Sequence, residues 1–163
     1  MPKVDHLSHV VVWVKDLEKM VAFYRDFLGC SVTHESPGRM SFLSPDPERE
    51  DHMIALAKGR EGDGKVLHHT SWAVNSVDEV REFYQRVQAE GVPFDHGFSH
   101  NLSLGRSTVS CYFYDPEGNR IEVFALVQVE PGKEYHGPLD LTDSSDELTD
   151  QVKGLTPVTS SHS

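Results

Sequence analysis

Three residues of the 163-residue chain combine reactive chemistry with a telling spacing: His9, His69 and Glu122. His9 lies in SHVVVWVKDLEKMVAFYRDFLG (8–29), and His69 lies in a faint second copy, HHTSWAVNSVDEVREFYQRVQAEG (68–91). At a constant offset of 60, His9 falls on His69, Val14 on Val74, Leu17 on Val77, and Phe23-Tyr24 on Phe83-Tyr84. Such self-similarity is one supersecondary unit used twice, and equivalent positions of the two copies face each other across a pseudo-two-fold axis. Glu122 stands between Ile121 and Val123 in an otherwise apolar run, where a carboxylate is costly unless something pairs with it. Two imidazoles and one carboxylate on rigid strands form the facial ligand set of non-haem Fe(II) centres that activate oxygen. Taken singly each residue is ordinary: a strand-end histidine bonded to backbone, or a glutamate paired with Arg120 or facing water. The repeat match together with the intrusive acid makes the set informative.

The elements that must position these groups follow from the apolar pattern. Residues 6–14 are rich in Val and Trp and read as a strand, with His9, Val11 and Trp13 on one face. Asp16 opens a helix whose apolar residues Leu17, Met20, Val21, Tyr24 and Leu28 recur at helical spacing, and Gly29 stops it. Strands are predicted at Cys30–His34, Met40–Leu43 and His52–Ala57, separated by turn formers. That gives β-α-β-β-β over 5–57. KGREGDGK (58–65) is the linker, and the order repeats over 66–127: a strand at Leu67–Val74, then a helix opened by Ser76 with a capping box completed by Glu79. Strands follow near Phe94, at Ser107–Tyr114 and at Arg120–Val127, the last two joined by the turn Asp115-Pro116-Glu117-Gly118-Asn119. Residues 128–141 read as an extended C-terminal arm on this single domain (1–141), and 142–163 as a polar tail that frays.

The formal net charge of −11, with Lys and Arg scattered, leaves no basic stripe for nucleic acid and disfavours an anionic membrane surface. No apolar run approaches the ~20 residues that span a bilayer, and MPKVDHLSH lacks the pattern of a signal peptide. Cys30 and Cys111 read as buried free thiols rather than as a disulfide, so the cytoplasm is the expected location.

The segments SHVVVWVKDLEKMVAFYRDFLG, LHHTSWAVNSVDEV and YFYDPEGNRIEVF resemble the vicinal oxygen chelate superfamily of glyoxalases, bleomycin resistance proteins and extradiol dioxygenases. More narrowly they are similar to small single-domain type I extradiol catechol dioxygenases. The resemblance covers roughly residues 5–127, with a weaker echo in EYHGPLDL (134–141). It implies an α+β fold in which two tandem βαβββ modules form an open, incomplete β-barrel around a metal site, with the helices outside. It also implies His9, His69 and Glu122 as ligands of Fe(II), or of Mn(II), and a homodimer. The activity it implies is ring cleavage of a catechol-type aromatic diol by dioxygen. Carried over residue by residue, His52 of DHMIAL falls on the family's acid/base histidine, and Tyr112, ten residues before Glu122, on its tyrosine near the metal. The sequence departs at Asp51, where a further histidine often stands, and at Ser103 and Arg106, near pocket residues of larger members.

Further readings concern the pocket and the competing activities. His96 and His100 of DHGFSHN are candidates for the pocket mouth, and Arg106 or Arg39 for holding a substrate carboxylate. His68 reads as a supporting residue, and no argument attaches to His6, His34, His136 or His162. Aligning MIALA (53–57) with RIEVF (120–124) sets Ala55 opposite Glu122, where glyoxalase-I-like enzymes carry a fourth ligand. Alanine cannot coordinate, so three protein ligands are expected, which suits ring cleavage better than isomerisation. The alternatives are a glyoxalase-, epimerase- or thiol-transferase-like metalloenzyme on the same scaffold, and a metal-free protein that sequesters an aromatic drug.

Overall fold

The computed structural model describes residues 9–64, 67–102 and 105–155. Its chain divides into two units. One is the first module together with Asp115–Asn119; the other is Leu67–Tyr114 with the chain from Arg120 onward.

In the first unit the order is β1 (Val10–Val14), α1 (Leu17–Ala22), β2 (Ser31–Ser36), β3 (Met40–Ser44) and β4 (Ile54–Lys58). The sheet order is β1-β4-β3-β2, with β1 parallel to β4 and the other pairs antiparallel. Alternation along β1 buries Val12 and Val14 and exposes Val11 and Trp13. The helix differs from the expected run to Gly29. It is α-helical only to Ala22 and continues as a π-helix over Phe23–Phe27, with Leu28 N–H donating to the Phe23 carbonyl. The wider turn carries Tyr24 and Phe27, both buried, as are Met20 and Val21 before it. Gly29, at φ +78°, then ends it as expected.

The second unit repeats the pattern with β5 (Thr70–Ala73), α2 (Val77–Ala89), β6 (Phe94–Ser99), β8 (Arg106–Tyr114) and β9 (Arg120–Gln128), and adds the short β7 (Asn101–Leu102) on β8. Ser76 caps α2 by accepting from Glu79 N–H. The Glu79 carboxylate, however, accepts from Asn75 N–H at 2.6 Å, so the expected capping box is displaced by one residue. The C-terminal arm extends the sheet: β10 (Gly137–Leu139) pairs antiparallel with β6, giving the order β10-β6-β8-β9-β5.

The segment expected to fray is partly helical. Ser144 and Glu147 form a complete capping box for α3 (Ser145–Val152), and the i, i+4 pair Leu148 and Val152 is fully buried. Burying two such side chains stabilises by roughly 3–6 kcal/mol, enough to order a short polar segment that composition alone would leave loose. Neither sheet closes on itself, so this α+β fold of two βαβββ modules keeps open sheets with the helices peripheral. Among the described residues no helix is long and apolar enough to cross a membrane. Cys30 and Cys111 are both free and buried, and burial pushes both thiols up to about 12.

Candidate functional site

Strand register builds the site in rows across the sheet of the second unit. Tyr112 stands opposite Glu122, His96 opposite Tyr112, and Ser71 opposite Glu122, so four strands present His96, Tyr112, Glu122 and Ser71 side by side. The next row along is Phe98, Ser110, Phe124 and Ala73. Alternation in β9 sends Ile121, Val123 and Ala125 into the core and leaves Arg120, Glu122 and Phe124 on the opposite face. These rows line a cavity of about 540 Å³, with His69, Phe98, His100, Tyr112, Arg120 and Glu122 on its walls. A larger groove of about 710 Å³ runs along α1 in the first unit, but its charges, Lys15, Asp16, Glu18, Arg25, Glu35 and Lys58, are of mixed sign and no histidine lines it.

Glu122 is 7 % exposed and both its oxygens are bonded. Ser71 Oγ donates to Oε2 at 2.5 Å and Tyr112 Oη donates to Oε1 at 2.7 Å. Burial pushes this carboxyl upward, but the hydrogen bonds from Ser71 and Tyr112 outweigh it and hold the group below its ordinary range. Burial raises the Tyr112 phenol, as does its bond to the carboxylate. His69 Nε2 lies 3.5 Å from Oε2, while its Nδ1 meets His68 Nδ1 at 2.7 Å. His68 thus engages one nitrogen of His69 and leaves the other facing the carboxylate. The Tyr112 proton goes to an acceptor-only carboxylate, so His100 Nε2, 2.9 Å from the phenol oxygen, must donate to it. Burial lowers the His100 pKa and favours its neutral ring. Arg120 lies over the Tyr112 ring at 4.6 Å, is paired with Asp95 at 2.7 Å, and reaches His96 at 3.2 Å.

The first unit holds the other two expected histidines against each other. The rings of His9 and His52 have centroids 4.5 Å apart, His52 also packs edge-on against Phe42 at 5.0 Å, and Asp51 lies 2.8 Å from His52 Nδ1. The acid at position 51 therefore bonds the histidine it precedes.

Of the expected metal ligands, His69 and Glu122 are adjacent. Bonds of about 2.1 Å to a first-row ion allow donors 3.5 Å apart to share one ion. His9 belongs to the other unit, and among the described residues no group of three or more His, Cys, Asp or Glu side chains is gathered to hold a metal. The two donors in hand suit a divalent ion chemically, as does the ionised carboxylate between two hydroxyl donors. Of the expected pocket residues, His96 and His100 line the cavity. Arg106 does not; it starts β8, opposite Leu102 and Gln128, and Arg39 closes the β2–β3 turn. Ser103 lies outside the described residues. The cavity's guanidinium is Arg120. Arg120 and Ser71 were both within reach of sequence reasoning, because each stands two residues from a candidate ligand and so shares its strand face.

Residues 6–123 match the model of a family described as the Glyoxalase/Bleomycin resistance protein/Dioxygenase superfamily. The chain belongs to this superfamily. Its relatives within the superfamily are of several kinds. Biphenyl-2,3-diol 1,2-dioxygenase 3 of Rhodococcus globerulus is 30% identical over 135 residues, 76% of this chain and 64% of that protein. This chain therefore spans less than two thirds of the dioxygenase's length. Lactoylglutathione lyase of Salmonella typhimurium is 30% identical over 128 residues, 72% of this chain and 90% of that protein. Among solved structures, the fosfomycin resistance protein FosX of Listeria monocytogenes superimposes with a TM-score of 0.58 at 25% identity, covering 76% of this chain and 94% of its own.

Proposed function

We propose that this chain is a divalent-metal-dependent enzyme that grips a small substrate through two neighbouring oxygens, with His9, His69 and Glu122 as the protein ligands. The observation that carries this reading is Glu122: a buried carboxylate, held ionised by Ser71 and Tyr112, whose facing basic group is the imidazole of His69. A buried anion of this kind calls for a cation. A bound ion would supply Lewis-acid polarisation of a substrate oxygen. Within the chain, Ser71 and Tyr112 hold the carboxylate in place, and His68 orients His69. Tyr112 also accepts a hydrogen bond from His100 Nε2, which ties this histidine to the same network. His52, bonded to Asp51 and packed on His9, is the side chain assigned to take a proton from the substrate and return it.

The likeness to FosX and to lactoylglutathione lyase favours polarisation of the substrate without ring cleavage, so the metalloenzyme of that kind is the first reading. Ala55, set opposite Glu122 in the internal repeat, keeps the protein ligands at three and favours its thiol-transferase-like or fosfomycin-resistance-like form over the four-ligand isomerases. The second reading is Fe(II)-dependent extradiol cleavage of an aromatic diol. It is favoured by the 30% identity to the biphenyl-diol dioxygenase and by the Phe98 and Phe124 floor, which suits a planar ring. A homodimer and a cytoplasmic location go with both readings.

The test is metal titration followed by turnover. Mn(II) or Fe(II) should bind stoichiometrically and Glu122→Ala should abolish binding, whereas protein that binds neither ion is a drug-sequestering relative at most. Loaded with Mn(II), the protein should consume fosfomycin or a thiol adduct of an aldehyde under the first reading. Loaded with Fe(II) and mixed anaerobically with a catechol, it should give a yellow ring-opened product on admitting air only under the second. His52→Ala should keep the metal and lose the rate.

A further inference from the structure

We infer that the C-terminal arm is part of the recognition surface, and that His136 is a specificity-determining residue binding the hydrogen-bond-accepting tail of an elongated substrate. This rests on the chelation reading above, because the other end of the substrate is taken to sit at Glu122. The arm lies beyond residues 6–123, the part of the chain that matches the superfamily.

The arm is built into the sheet. A Cβ on Gly97 of β6 would lie 2.6 Å from the Leu139 carbonyl oxygen and 2.7 Å from Leu141 Cγ, so only glycine lets the arm approach this closely. Ser99 Oγ donates to the Tyr135 carbonyl at 3.0 Å, Tyr135 Oη donates to the Pro138 carbonyl at 2.9 Å, and Leu139 and Leu141 are buried. Gly137 pairs with Ser99, which brings the preceding residue, His136, alongside His100. Their ring centroids are 5.6 Å apart, and the His136 ring meets Phe98 edge-on at 5.2 Å. Phe98 and His100 are themselves cavity residues.

The spacing says what this position would touch. Across β6, β8 and β9, the row of His100, Thr108 and Leu126 is four residues along the strands from the Glu122 row. That is about 13 Å at ~3.3 Å per residue, more than a single six-membered ring spans. Phe98 and Phe124 floor the interval and favour an apolar, planar middle. His100 has its Nε2 committed to Tyr112, whereas the His136 ring is solvent-exposed at the far end. Of the chain's 10 histidines, His68, His69, His96 and His100 line the cavity and His136 abuts it, in a protein of net charge −11. An imidazole offers at least one N–H donor in either protonation state, so the exposed ring of His136 can donate to an acceptor such as a carboxylate or a hydroxyl.

The experiment uses Mn(II)-loaded full-length protein and calorimetric binding of two probes, catechol and a catechol bearing a carboxypropyl chain. The tailed probe should bind roughly ten-fold more tightly, the worth of one hydrogen bond to a charged group. His136→Phe keeps a ring against Phe98 and His100 but removes the N–H donor, and should erase that preference while leaving catechol affinity unchanged. His136→Gln restores a donor and should recover most of it. If both probes bind equally, or if the preference survives in His136→Phe, the inference falls and the chelation reading stands. If the Mn(II)-loaded protein binds neither probe, both fall together.

Discussion

Tyr112 and Glu122 face each other across β8 and β9, and the phenol donates to Oε1 over 2.7 Å while Ser71 takes Oε2 from the neighbouring strand. The carboxylate is thereby held from both sides by residues on the two strands that flank its own. Hydrogen-bonding partners of a ligand set its orientation, and losing one commonly costs about 10–100-fold in metal affinity. Tyr112→Phe and Ser71→Ala should each weaken Mn(II) binding within that range, and the double variant should lose less than the product of the two, because both act on one group. Competition against a metal-sensitive dye checks this. Unchanged affinity in both single variants would show that Glu122 needs no such support.

A second prediction concerns Glu117, in the turn between β8 and β9. Its Oε1 accepts from the Lys15 and Asp16 N–H groups at 2.6 and 2.7 Å, and its Oε2 lies 3.6 Å from the Arg60 guanidinium, both side chains being nearly buried. Glu117→Gln leaves a buried cation without its anion and should destabilise by about 3 kcal/mol. A urea midpoint that moves down with an unchanged slope would register it. An unshifted midpoint would mean that water screens the pair.

Protonation of His100 offers a pH test. Burial is the main cause of its lowered pKa, and the nearby His136 adds to it. As pH falls below the ordinary value of 6.5, the unfolded chain takes up a proton that the folded chain resists. This residue's contribution to stability should therefore be complete above that pH and be lost as pH falls to its own lower midpoint. His136→Ala removes a like charge and some cover, so the His100 midpoint followed by NMR should move upward. A downward move would contradict the packing of the arm.

Thiol chemistry provides a further check. With both cysteines pushed up to about 12, the thiolate fraction at pH 8 is on the order of 10⁻⁴. Iodoacetamide should label neither Cys30 nor Cys111 in the native protein and both after unfolding. Rapid native labelling of either would show that its element opens readily.

The elements carrying the site were legible because their signals are local. The offset that matches His9 to His69 and the 3.6-residue periodicity after Asp16 need only a few neighbouring residues to express themselves. So does the glycine and proline punctuation of the hairpins. The helix after β1 departs from its prediction at Phe23, where it widens into a π turn that the apolar spacing, which fits an ordinary α-helix equally well, does not announce. Helix α3 escaped because its polar sequence becomes helical only once Leu148 and Val152 find a surface to bury against.

From the chain alone came the residue types able to hold an ion, the duplicated β-α-β-β-β order, and the alternation that sets Glu122 apart from its apolar neighbours. Tertiary structure alone decided that Ser71 and Tyr112 share one carboxylate, that Arg106 is not among the residues lining the cavity, and that His136 reaches His100. Strand alternation is written in residues two apart. Register across the β8–β9 hairpin is fixed by its turn, but the pairing of β5 with β9 and of β10 with β6 joins segments tens of residues apart, and no local pattern encodes it.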